Sequence, residues 1–334
     1  MFDARFEFSL RQGKLVLPQS KNCAVFFPNC LRDIAPLADF KPKIIHKFKP
    51  LVDLFQDHGF DPLPSEPSDL DVAVVHLPRV KRLARHLIYT AARAAGPDGL
   101  ILVDGDKSQG IDSLIKDIKA RTELQGVVSK AHGKLAWFAA IEVFDDWQAD
   151  GFDPIEDGFV TKVGVFSADG IDPASQLLAS SLPEDLSGRI ADFGAGWGYL
   201  TRFLFNYANI KHIDCIEADS AALDCARQNC VDDREAFHWS DATTWRAHTA
   251  LDGIVMNPPF HNGRAADPAI GQAFIASAAR NLTAHGRLFL VANRQLPYEK
   301  ALQSCFANVK QIAQNNLFKV LFANRPLVHL RKTR

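Results

Sequence analysis

The chain contains no apolar run approaching the ~20 residues needed to cross a bilayer, so a helical membrane span is not expected. Its first residues, Met1-Phe2-Asp3-Ala4-Arg5-Phe6-Glu7, carry acidic charges and lack an apolar signal core, so a secretory leader is not expected either. Cysteine is sparse, with six in 334 residues and no Cys-x-x-Cys spacing. The nearest pairs, Cys23 with Cys30 and Cys225 with Cys230, fit no zinc pattern, and reduced, mostly buried thiols are expected rather than a metal site or a disulfide framework. Together these absences point to a cytoplasmic protein. An excess of one charge is also missing: the formal net charge of −1 gives no global sign of a nucleic-acid partner. Local basic clusters do occur at Lys41, Lys43, Lys47 and Lys49, at Arg79, Lys81, Arg82 and Arg85, and at Arg331, Lys332 and Arg334. Each alone reads as solvated surface, although a near-neutral protein can still hold a basic groove.

What the chain does have is room for two domains. The stretch Asp145-Asp146-Trp147-Gln148-Ala149-Asp150-Gly151-Phe152-Asp153-Pro154 is acidic and punctuated by Gly and Pro, as linkers are. It divides residues 1–150 from residues 151–334. In the second half, apolar strands at Arg189–Phe193, His212–Glu217, Ala236–Trp239, Gly253–Met256 and Arg287–Ala292 alternate with helices at Tyr199–Asn206, Ala221–Asn229 and Ala269–Asn281. That alternation implies a parallel, doubly wound sheet. The runs Val309–Gln314 and Phe318–Ala323, joined around Asn315-Asn316, read as a terminal hairpin. The first half holds a worn copy of the second. Asp71-Val72-Ala73-Val74-Val75-His76-Leu77-Pro78 aligns with Asp252-Gly253-Ile254-Val255-Met256-Asn257-Pro258-Pro259, and Gly99–Val103 aligns with Gly286–Leu290. The first copy has His76-Leu77-Pro78-Arg79 in place of Asn257-Pro258-Pro259-Phe260 and shows no glycine-rich turn upstream. A catalytically dead scaffold or binding domain is therefore expected at residues 1–150.

Three strand ends of the second half carry candidate ligand-binding residues. Asp192-Phe193-Gly194-Ala195-Gly196-Trp197-Gly198 follows an apolar strand and opens a helix, where glycines permit a tight turn and close approach of a ligand to backbone. Alone this is a weak signal. The next strand ends in Glu217, an acid about 20 positions on that is placed to bind ribose hydroxyls. The third leads to Asp241-Ala242, placed to meet an adenine amino group. Each acid alone reads equally as a helix cap or turn residue. The fourth strand delivers Asn257-Pro258-Pro259-Phe260. An Asn carbonyl beside a proline backbone carbonyl offers two uncharged acceptors, which suits a planar NH2 whose hydrogens are held while its nitrogen attacks.

This constellation resembles the class I S-adenosylmethionine-dependent methyltransferases. More narrowly, the chain resembles the ribosomal RNA small-subunit methyltransferase C family, guanine-N2 methyltransferases with two similar domains. The resemblance rests on Gly164-Val165-Phe166-Ser167 through Asp172, Gln176-Leu177-Leu178, the glycine turn, Asn257–Phe260 with His261, Val291-Ala292-Asn293, Leu296-Pro297-Tyr298 and Phe318-Lys319-Val320. It implies an α/β fold of two tandem Rossmann-like methyltransferase domains. The N-terminal one is degenerate, and the C-terminal one has a seven-stranded, mostly parallel sheet closed by an antiparallel hairpin. It also implies that Phe166 and Ser167 flank the cofactor, that Asp192, Gly194, Gly196 and Gly198 cradle its methionine part, and that Glu217 holds the ribose and Asp241 with Ala242 the adenine. Asn257 with Pro258 and Pro259 would hold the target amine beside the cofactor, with Phe260 stacked on the base. Trp197 is a departure, bulky where many relatives carry something smaller.

The expected activity is methyl transfer from S-adenosylmethionine, leaving S-adenosylhomocysteine, to a guanosine N2 in ribosomal RNA. The partners expected are ribosomal RNA or a ribosomal subunit, for a monomer without a metal or a membrane. His261 is a candidate proton acceptor, though a histidine beside a turn more often serves as a surface residue. The amine clamp by itself leaves adenine N6 in DNA, large-subunit RNA and protein glutamine open as targets. A cofactor-binding assembly factor without activity is a further alternative.

Overall fold

A computed structural model describes residues 2–18, 22–63, 67–259, 261–262, 265–266 and 268–327. Phe260 and the basic tail residues Arg331, Lys332 and Arg334 lie outside the described residues, as does the side chain of His261. The chain divides into two compact units, Met1–Gly151 and Phe152–Arg334. The division falls inside the acidic, Gly- and Pro-punctuated stretch.

In the first unit, α1 (Phe2–Arg11) precedes β1 (Cys23–Phe26), β2 (Lys43–Ile45), α2 (Lys49–Asp57), β3 (Pro62–Leu63) and β4 (Leu70–His76). Then come α3 (Lys81–Ala94), β5 (Ala95–Asp106), α4 (Ile111–Lys119), β6 (Gly126–Lys130) and β7 (Gly133–Ala139). The sheet order is β3-β2-β1-β4-β5-β7-β6, parallel except for β7, which runs antiparallel to β5 and β6. The centre of β4 is the unbroken apolar run Val72-Ala73-Val74-Val75, buried throughout, because helices cover both faces of a parallel sheet. Helix α3 closes one face with Ala84, Ile88 and Ala91, and Phe2 and Phe6 of α1 help to close the other.

The second unit opens with a small hairpin of β8 (Asp153–Pro154) and β9 (Val160–Thr161). It continues through α5 (Pro173–Ser180), β10 (Gly188–Phe193), α6 (Tyr199–Leu204), β11 (Ile210–Glu217), α7 (Ser220–Asn229), β12 (Glu235–Trp239) and β13 (Leu251–Met256). A second hairpin, β14 (His261–Asn262) with β15 (Ala265–Ala266), leads into α8 (Pro268–Asn281), β16 (Leu282–Asn293), α9 (Tyr298–Cys305), β17 (Phe306–Gln314) and β18 (Phe318–Pro326). The sheet order is β12-β11-β10-β13-β16-β18-β17. The last two strands form the expected antiparallel hairpin. Strand β17 lies at the sheet edge and faces outward with Lys310, Gln311 and Gln314, polar residues that blunt an exposed edge.

Replacing each strand by its rank within its own seven-stranded sheet gives the same order, 3-2-1-4-5-7-6, twice. The sequence repeat follows that order: Asp71–His76 lies on β4 and Asp252–Met256 on β13, while Gly99–Val103 lies on β5 and Gly286–Leu290 on β16. Asn257 and the glycine turn thus follow adjacent, paired strands, β13 and β10.

Candidate active site

Strand β10 ends at Phe193, and the chain turns through three glycines with positive φ, Gly194 at +73°, Gly196 at +58° and Gly198 at +93°. Only glycine enters this region without strain, but the three differ in what surrounds them. A side chain at Gly196 would meet nothing within 4 Å, so this backbone is open to a ligand. At Gly198 a β-carbon would lie 2.6 Å from Cys230 Sγ and 3.2 Å from Ala226 Cα, so that glycine lets α7 pack against the turn. Trp197 stands among the walls of the cleft. It is buried, its ring meets Phe159 edge-on at 5.0 Å, and its Nε1 donates to the carbonyl of Phe166 at 3.1 Å. The bulk that marked Trp197 as a departure thus ties the Phe166 loop to the glycine turn.

Two acids lie beside the turn. Asp192 is fully buried. One of its oxygens accepts from Thr201 Oγ1 at 2.8 Å, and the other, Oδ1, has no partner among the described residues. Burial, with the nearby charge of Glu217, pushes the Asp192 carboxyl up to about 7. Half-buried Glu217 accepts from the backbone N–H of Gly196 and of Asp219, each at 2.8 Å, and burial lifts it also to about 7. An orphan buried acceptor, a second acid beneath the turn and open space over Gly196 fit a ligand with a cationic end and ribose hydroxyls. S-adenosylmethionine is such a ligand.

Asn257 stands just beyond the end of β13, half-buried, with Pro258 buried behind it and Pro259 exposed. Its Nδ2 donates to Asp172 Oδ2 at 2.8 Å and to Ser175 Oγ at 2.9 Å. Asp172 is the N-cap of α5, accepting from Ser175 N at 2.9 Å. A cleft gathers Phe166, Ser167, Asp172, Ser175, Gly194, Gly196 and Asn257 among its walls. Phe166 is 61% exposed, and Ser167 has a positive φ of +51° with its hydroxyl donating to Gly170 O at 2.8 Å. Of the residues expected at the cofactor, Asp192 and Glu217 adjoin this cleft from beneath the turn, and Gly198 faces α7. Asp241 and Ala242 follow β12, two strands from β10. There Asp241 Oδ1 accepts from Thr243 N at 2.8 Å and the Ala242 carbonyl accepts from Ser277 at 2.6 Å. The structure adds two side chains that the sequence reading did not single out for the site, Asp172 and Ser175. The available signal was the Asp-Pro helix start at Asp172-Pro173.

The corresponding positions of the first unit are occupied by the protein itself. Phe27 N donates to Ile45 O at 3.0 Å, as Gly194 N donates to Ile216 O at 2.9 Å, and Phe27 has the same positive φ, +59°. Its ring stacks on His46 with centroids 5.0 Å apart, and His46 holds the place of Glu217. At the end of the fourth strand, His76 Nδ1 lies 3.6 Å from Asp104 Oδ2, and the ring of Phe2 meets His76 edge-on at 4.9 Å. Arg5 clamps Asp104 through Nε at 2.6 Å and Nη2 at 2.8 Å. Burial by itself would lift the Asp104 carboxyl, but hydrogen bonds from His76 and Arg5 and their charges hold it below its usual range.

The methyltransferase small domain family matches residues 156–322. A ribosomal RNA small subunit methyltransferase C from Shewanella pealeana is 32% identical over 264 residues, 75% of this chain and 76% of that protein. The namesake from Shewanella baltica is 30% identical over 269 residues, 78% of this chain and 77% of its own length. Among solved structures, a 16S rRNA N2 methyltransferase from T. thermophilus in complex with AdoMet and guanosine superposes with a TM-score of 0.77. It shares 26% identity, covering 93% of this chain and 90% of that one.

Proposed function

The chain belongs to the ribosomal RNA small subunit methyltransferase C family, and from that premise we propose that it methylates the exocyclic N2 of a guanosine in 16S ribosomal RNA. S-adenosylmethionine, when bound, supplies an electrophilic methyl group on sulfur. Asp192 and Glu217 bind and orient it: the free Oδ1 of Asp192 receives an N–H and Glu217 receives ribose hydroxyls, with the open backbone at Gly196 alongside. Gly194 shares that cradle, Asp241 and Ala242 bound it at the adenine end, and Phe166 and Ser167 flank it. The observation that carries the proposal is the amide of Asn257, whose donor end is committed to Asp172 and Ser175 and whose acceptor end is left for the substrate.

The guanine amine is a poor nucleophile because its lone pair is delocalised into the ring. Two acceptors, Asn257 Oδ1 and the Pro258 carbonyl, bind its hydrogens and favour a more tetrahedral nitrogen. Orientation of this kind supplies on the order of 7–11 kcal/mol. Pro259 stiffens the turn, and Phe260 stacks on the unstacked base, which offsets part of the unstacking by ~1–3 kcal/mol. The proton leaves after transfer, so the step requires no strong base.

The second unit is read as the catalytic domain and the first as a scaffold that binds RNA. No helix of the described residues is long and apolar enough to cross a membrane, and no described group of His, Cys, Asp or Glu is arranged to hold a metal. The protein is read as a cytoplasmic monomer. Incubation with methyl-labelled S-adenosylmethionine and 16S RNA, free or in subunits, followed by nucleoside analysis, tests the proposal. Label in N2-methylguanosine is expected, and label elsewhere or nowhere rejects it.

A further inference from the structure

The two ends of a carboxamide are alike in shape and opposite in hydrogen-bonding sense. If Asn257 is to receive hydrogens from a target amine, half a turn of its amide would set a donor against a donor. The structure holds a device against that turn. Both hydrogens of Nδ2 are committed, one to Asp172 Oδ2 at 2.8 Å and one to Ser175 Oγ at 2.9 Å. Among the described residues nothing donates to Oδ1 of Asn257, which lines the cleft. An ionised carboxylate only accepts, so a turned amide would press its carbonyl against Asp172. The hydroxyl of Ser175 can donate or accept and tolerates either orientation, which leaves the choice to Asp172. Asp172 is itself fixed, because the same Oδ2 also accepts from Ser175 N at 2.9 Å at the start of α5. The helix end orients the carboxylate, and the carboxylate orients the amide.

We infer that Asp172, assisted by Ser175, is a positioning residue that locks Asn257 as a pure acceptor, so that the site selects ligands presenting an NH2. The inference rests on the reading that Asn257 receives the target amine. It also gives the first turn of α5 a part in the reaction that its capping role alone would not supply.

Asp172→Ser separates the two roles. Serine is a preferred N-cap, but its shorter side chain no longer reaches Asn257. Asp172→Asn is the conservative rescue, since its carbonyl oxygen keeps the reach and the acceptor. In the Asp172→Ser variant kcat on RNA is expected to fall by about 10²-fold, the scale of a misoriented reacting group, with cofactor affinity and melting temperature unchanged. The Asp172→Asn variant stays near wild type, and Ser175→Ala falls between them. The side-chain NH2 signals of Asn257, assigned by their loss in Asn257→Ala, provide a readout independent of turnover. They should exchange slowly with water in the wild type and in Asp172→Asn, and quickly in Asp172→Ser. Wild-type kcat in Asp172→Ser would overturn the inference, as would equal losses in Asp172→Ser and Asp172→Asn, which would mean that the charge acts on the ligand directly. If slow exchange is seen without methyl transfer to guanosine, the functional reading fails and the lock stands. If transfer proceeds while the NH2 exchanges freely in the wild type, the lock fails and the function stands.

Discussion

The two units build the same sheet and the same backbone hook after their first strand, yet one presents a cleft and the other a plug. In the second unit a glycine stands at the hook, an acid at the end of the second strand is half-buried, and an asparagine beyond the fourth keeps one acceptor without a donor among the described residues. In the first unit Phe27, His46 and His76 stand at those three places. Burial lowers His46 to about 4, so it is neutral near pH 7; its ring fills the space under Phe27, with Nε2 buried and without a hydrogen-bond partner among the described residues. Its Nδ1 accepts from Phe48 N at 3.0 Å. At the fourth strand the polar demand of His76 and Asp104 is met by Arg5 from within the same unit. The comparison teaches that a ligand site needs open space as well as well-placed, unsatisfied groups: in the first unit rings fill the space and Arg5 pairs Asp104, while the fold is kept.

That contrast can be broken at several points. The largest effect is expected from Arg5→Ala, which leaves Asp104 buried without its partner and should cost about 3–5 kcal/mol of stability, read by urea denaturation. Asn257→Ala should lower kcat by about 10²–10³-fold, as loss of one group aimed at the reacting centre does. Cofactor affinity by calorimetry should be unchanged, and equal turnover would remove the amine clamp. Glu217→Ala removes hydrogen bonds to a charged acceptor worth about 1.5–3 kcal/mol, so cofactor affinity should weaken by about tenfold to a hundredfold.

A smaller effect concerns pH. Folding raises Asp192 and Glu217 from ordinary values of 3.8 and 4.5 to about 7. Between those limits the folded unit holds protons that the unfolded chain has released. Its stability without ligand should therefore fall as pH rises from about 4 to about 7 and level off above. A cationic ligand needs the ionised acids, so binding should release protons near pH 6 and tighten toward pH 8. Calorimetry in two buffers of different ionisation heat measures the release, and none at pH 6 would contradict the shifts. The smallest effect is expected from Phe27→Gly. It relieves a positive φ but forfeits a ring contact of about 0.5–1.5 kcal/mol, and the cofactor stoichiometry should stay at one per chain.

Much of this architecture was legible in the sequence because its signals are local. The strands of the second unit announce themselves as short apolar runs, and Asn257-Pro258-Pro259 marks its own strand end. What was not legible depends on distance. Asn257 meets Asp172 across 85 positions, and Arg5 meets Asp104 across 99. Nothing near Arg5 in the chain hints that its charge is buried. Phe27 was hidden for a different reason: a turn with positive φ is read from glycine, and a phenylalanine conceals it. Trp197 stood out only as a bulky departure inside a glycine motif, and its burial against Phe159 depends on a contact across 38 positions that the local sequence does not show. Gly198 reads as one more cradle glycine, and only the approach of Cys230 gives it a packing role.

The stacked ring of Phe27 also bears on how the first unit can change over generations. Glycine at position 27 would open a hollow above His46 with no acid beneath it to attract a cofactor. An acid at position 46 introduced first would lie buried under an aromatic ring, with the backbone N–H of Phe48 as a donor but no cation beside it among the described residues. An amine site there would demand, in addition, release of Asp104 from Arg5, which alone leaves a buried charge without its cationic partner. The groups at the sheet's ends in the first unit are thus part of its core, so change there is costly while its surface positions are free to vary.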